Sequence, residues 1–106
     1  MDDIFKNCKV QINKIEAELK RLNVWSLQPI DAAKFNDMGA FGINSMAFTE
    51  WLQFVLIPRV HSILETNGTF PKQSNVAAHA YREFDGMEKE FGELCQLLSE
   101  FDALFK

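Results

Sequence analysis

Residues 48–61, FTEWLQFVLIPRVH, form a nearly continuous apolar segment with a proline at position 58. Across residues 51–57 only Gln53 is polar, so a helix here must be buried around most of its circumference. Pro58 has no N–H to donate, and its ring crowds the carbonyl of Phe54, four residues earlier. In an ordinary helix interior that costs about 3 kcal/mol, and a kink is the expected response. The helix is predicted to start within residues 46–49 and to run to Thr66, where Asn67-Gly68 offers a left-handed stop.

The flanking segments are more regular. Residues 3–22 carry Phe5, Cys8, Ile12, Ile15, Leu19 and Leu22 at alternating steps of three and four, with charged residues between them. Residues 87–105 repeat the pattern with Met87, Phe91, Leu94, Leu98, Phe101 and Phe105. These are matched stripes for two helices packing antiparallel at about +20°. In residues 24–47, Pro29, Gly39 and Gly42 break any period while Trp25, Phe35, Phe41 and Met46 recur irregularly. This reads as a long connection pinned by aromatic anchors, with a helical turn at residues 31–35. Residues 70–74, with Pro71, read as a loop; Asn75 is expected to cap a short helix over residues 76–84, and Asp85-Gly86 turns the chain into the last helix. No strand-like alternation occurs. The expected fold is all-α: a four-helix bundle-like single domain, residues 1–106, with a proline-kinked second helix and a long aromatic-pinned connection after the first.

Composition supports a folded globular chain, with 47% hydrophobic and 25% charged residues. The net charge of −4 has its two signs interspersed, so no field gathers phosphates or an anionic bilayer, and neither nucleic acid nor membrane is expected as a direct ligand. The opening MDDIFKNCKVQ has acidic residues where a secretory leader has basic ones, and no apolar run approaches the roughly 20 residues that span a bilayer. A cytoplasmic location is the expectation. Cys8 and Cys95 fall at core positions of the two amphipathic segments, as buried reduced thiols would.

Phe41, Met46 and the run Phe48, Glu50, Trp51, Leu52, Gln53, Phe54, Ile57, Pro58, Arg59 resemble the YqcC-like family of small gamma-proteobacterial proteins, as does Phe101-Asp102-Ala103-Leu104 near the end. Asn44, where an acidic residue is usual, and Val60, where methionine is usual, depart from its pattern. The resemblance implies an all-helical bundle of unknown activity, often labelled a tRNA pseudouridine synthase because of its gene neighbourhood. A synthase of that kind needs a catalytic aspartate in a larger mixed sheet with a basic RNA cleft, and this sequence offers neither.

His61 with Glu65 and His79 with Glu83 each lie four residues apart, on one helix face. Di-iron bundles instead place a glutamate three residues before each histidine, so no metal is expected. No phosphate loop, nucleophile elbow or activated cysteine is found, and no cofactor is expected. On a uniform helix Glu50, Trp51, Phe54, Pro58 and His61 gather on one face beside the core, with Arg59 pointing away from it. Either residues 24–47 cover that face, or Trp51, Phe54 and Arg59 form part of a groove for a protein partner, since aromatics and arginine dominate interface hot spots. Gln53 points toward the core, where its amide needs a partner, expected among backbone groups freed near Pro58. The reading is a non-catalytic cytoplasmic protein-interaction module which, by the resemblance, is accessory to a tRNA-modifying enzyme; the alternative is a small enzyme or ligand-binding bundle.

Overall fold

The computed structural model describes residues 3–28, 47–70 and 73–105. Among them are four helices and no strand. Helix α1 is Asp3–Arg21; α2 is the successive segments Phe48–Trp51, Leu52–Leu56 and Ile57–Thr66; α3 is Val76–Glu83; α4 is Glu88–Ala103. The all-α, bundle-like fold expected from periodicity is the observed one. The turn expected at residues 31–35 and the anchors Phe35, Phe41 and Met46 lie outside the described residues, while Trp25 packs half-buried against the core.

The apolar stripe of α1 is internal, with Cys8, Ile12, Ile15 and Leu19 all at 1% exposure or less. It meets Leu94, Leu98 and Phe101 of α4. Gln11 Nε2 donates to the carbonyl of Leu97 at 2.8 Å and to Glu100 Oε1 at 3.2 Å, whereas Arg21, ten residues on, lies within reach of the charge of Glu93. The two helices therefore run antiparallel. The predicted α4 stripe starts late, because Met87 is exposed and Phe91 only half-buried. Gly86, at φ 85°, turns the chain just before α4, and Phe91 stacks on Phe84 of that turn at 4.1 Å between ring centroids.

Helix ends follow from local chemistry. Asn23 takes a left-handed φ of 65°, its N–H donates to Lys20 and that of Val24 donates to Leu19, a Schellman pattern that satisfies the last carbonyls of α1. At the end of α2 the expected stop is present, with Asn67 at φ 52° and the Gly68 N–H donating to Ile63. The expected cap of α3 is a correction. Asn75 occupies the N-cap position but makes no side-chain cap bond. Asp102 of α4 takes its place: Oδ1 accepts from Ser74 Oγ at 2.5 Å and the Val76 N–H at 3.1 Å, and Oδ2 accepts from the Ala77 N–H at 2.8 Å. A buried carboxylate with three donors also meets the positive end of the α3 dipole, so one residue of α4 satisfies and positions another helix.

The distortion expected from Pro58 takes the form of a π-turn over Leu52–Leu56, in which the Ile57 N–H donates to the carbonyl of Leu52. Pro58 is then the second residue of the α-helical segment Ile57–Thr66, and it is exposed. In the first turn of a segment a missing N–H is tolerated, so the cost of a mid-helix proline is largely avoided. Two aromatic groups flank this helix. Phe48 stacks on Trp51 and meets Phe84 edge-on, while Phe70 joins Phe5 of α1 to Phe105 beyond α4 at 5.2 and 5.4 Å.

Candidate functional site

Gln53 is buried, as expected, but its partner is not the backbone beside Pro58. Its Oε1 accepts the Ser26 N–H at 2.8 Å and its Nε2 donates to the Ser26 carbonyl at 2.9 Å. A side-chain amide here pairs with a peptide group as a neighbouring strand would. It fastens the chain leaving α1 to the π-turn of α2.

Of the six residues named as a candidate partner face, the fold brings two together, Trp51 and Arg59, and disperses the other four. Glu50 accepts the Ala47 N–H at 2.9 Å through Oε1, so it helps to close the N-terminus of α2. Trp51 is largely core, at 7% exposure and stacked on Phe48, but one edge reaches a cleft between α2 and the chain around α3 and α4. Arg59, exposed, lines the same cleft. Phe54, half-buried, and Pro58, exposed, do not line it. His61 lines a separate, wider hollow with Lys6, Lys9 and Glu65.

The π-turn accounts for this partition. On a uniform helix, at about 100° per residue, Arg59 lies about 80° to one side of Trp51 and His61 about 80° to the other. One π-turn acts as one inserted residue and sets everything after it back by about 100°. Arg59 then falls within about 20° of Trp51, and His61 falls on the opposite side of the helix. Nothing in the residue pattern announced the π-turn beyond Pro58 itself.

The cleft has a volume of about 250 Å³ and largely apolar walls from Trp51, Val60, Ile63, Phe70, Phe101 and Phe105. Gln73, Ser74 and Asn75 form its polar rim, held by the Asp102 bonds to Ser74 and the start of α3. These rim residues are far from Trp51 in sequence and were not foreseen as part of a site. Arg59 is the one ionisable side chain among the described residues lining it. A guanidinium stays protonated, so it binds and orients anions and does not serve as a general base.

His79 lies 3.9 Å from Glu83 and packs against the ring of Phe48. Burial pushes the Cys8 thiol up to about 11 and raises that of Cys95, with the charge of Glu88 adding to the latter. Both cysteines are free and buried, in the protonated form that is a poor nucleophile. No group of three or more His, Cys, Asp or Glu arranged to hold a metal occurs among the described residues, and none of their helices is long and apolar enough to cross a membrane.

The fold and cleft together define a small all-α protein with an apolar recess and an arginine at its mouth. A sequence model of the DUF446 family, described as tRNA pseudouridine synthase C, matches residues 7–104. The chain belongs to this family, the YqcC-like family. An uncharacterized protein of Haemophilus influenzae is 36% identical over 96 residues, 91% of this chain and 87% of that protein. The solution NMR structure of protein YqcC from E. coli superposes with a TM-score of 0.85 at 27% identity, covering 96% of this chain and 87% of that one. A protein of Pectobacterium carotovorum named tRNA pseudouridine synthase C is 27% identical over 81 residues, which are 76% of this chain but 22% of that protein.

Proposed function

We propose that this protein is a non-catalytic, cytoplasmic interaction module that works beside a tRNA-modifying enzyme. The supporting observation is the Pectobacterium carotovorum relative: most of this chain corresponds to about a fifth of a protein bearing a synthase name, so the larger part of that protein lies outside the similarity. Joining two units in one chain raises their effective concentration to the millimolar range, which is useful where the separate units must meet. The cleft residues suit recognition better than chemistry, because among the described residues that line it the charged group is an arginine and no acid–base pair faces the recess.

The test is a paired one. The purified chain incubated with unmodified tRNA is expected to form no pseudouridine. The same chain, immobilised, is expected to retain the separately purified tRNA pseudouridine synthase of its own host. Turnover by the chain alone would make it an enzyme; failure to retain the synthase at high micromolar concentration would remove the accessory role.

A further inference from the structure

We propose that the cleft between Trp51 and Arg59 receives a peptide segment of a partner protein carrying one bulky apolar side chain flanked by carboxylates. This deepens the interaction-module reading and rests on it. The volume sets the scale: about 250 Å³ lies below the roughly 300–1,000 Å³ of sites for drug-sized metabolites, and it suits the single anchor side chain typical of an interface hot spot. The walls set the chemistry of that anchor. Trp51, Val60, Phe101 and Phe105 are each under a tenth exposed, and with Ile63 they present an apolar surface fixed by core packing.

The charge sets the flanks. Arg59 is exposed at the cleft, and among the described residues no carboxylate lines that cleft and Arg59 has no ion-pair partner. By contrast Arg21, on α1, is held by Glu18. The start of α3, which would otherwise compete for an anion, is already satisfied by Asp102. An arriving carboxylate therefore meets Arg59, the one cation among the described residues that line the cleft. The hollow lined by Lys6, Lys9 and His61 also holds Glu65, and the π-turn turns it away from Trp51.

The experiment uses fluorescein-labelled dodecapeptides with a central Trp, Phe or Leu and flanks of Asp/Glu, Ser/Gly or Lys/Arg, titrated with the full chain by fluorescence anisotropy. The acidic set is expected to bind about tenfold tighter than the basic set, and Arg59→Glu to invert that order. Ile63→Trp, which fills the recess, is expected to weaken every peptide about tenfold or more. Arg59 is exposed, so its variant tests the proposal even if the filled cleft perturbs folding. Equal binding of the three sets, or an order unchanged in Arg59→Glu, overturns the proposal. So does binding of decanoate with no peptide bound, or a dimer broken by Ile63→Trp, since each gives the cleft another occupant. If wild type and both variants retain the synthase equally, the cleft assignment falls and the module reading stands. If wild type retains no synthase while the peptide order holds, the named partner falls and the cleft assignment stands.

Discussion

The α1–α4 pair is built from amphipathic stripes and α2 from a nearly continuous apolar run, and they differ in how far a residue's place can be read from its number. In the pair every turn is an α-turn, so Cys8, Ile12, Ile15 and Leu19 stay in one line and meet Leu94 and Leu98. In α2 the π-turn over Leu52–Leu56 resets the phase, and residues before and after it belong to different wheels. A regular stripe gives a tightly packed seam. A phase slip swings Arg59 to the same side as Trp51, where the cleft lies.

Substitutions can break that comparison or sharpen it. The largest effect is expected at the seam: Leu19→Ala should cost about 2–5 kcal/mol by opening a cavity between α1 and α4, measured by chemical denaturation. A loss under about 0.5 kcal/mol would mean that the stripes are not packed together. Asp102→Ala should follow at about 2–4 kcal/mol, because three donors lose their acceptor and two of them are backbone N–H groups at a helix start. Asp102→Asn, which keeps one acceptor oxygen, should recover part of that loss.

Gln53→Ala should cost about 1–2 kcal/mol, less than a fully buried pair because Ser26 is only half-buried. Its signature is faster hydrogen exchange at the Ser26 amide, and unchanged exchange there would deny the clamp. The smallest effect is expected from Pro58→Ala, within about 1 kcal/mol of wild type, since the proline sits exposed in a first turn. NMR shifts of Leu52–Leu56 would show whether a restored N–H lets that stretch return to α geometry. A loss of several kcal/mol would place Pro58 among the structural residues of the seam and erase the contrast between the two regions.

What was legible in the sequence divides along the same line. The all-α class, both long helices and the Asn67 stop follow from local signals, and the structure has them. The buried state of Gln53 was legible, but not its partner, because Ser26 lies 27 residues away and no local rule links the two. Asn75 misled for a related reason: propensity ranks it as a good cap, while Asp102, 26 residues beyond Val76, supplies both oxygens. Met87 and Phe91 continue the α4 period numerically, yet Met87 lies just before the helix and Phe91 in its first turn, where the stripe is not yet fully buried. Of the predicted face, Trp51 and Arg59 come together at the cleft, His61 lies elsewhere, and the separation traces to one π-turn that period counting does not contain.

The bond from Gln11 to Leu97 spans 86 positions, and it has a consequence for how the chain is made. A ribosome delivers α1 long before α4, so at about 5–20 residues per second the stripe of α1 waits roughly 4–17 seconds for its partner. The cap on α3 arrives late in the same way, with Asp102. Early elements of this protein cannot be completed as they emerge, and its assembly is a closing event in which the last helix finishes the first.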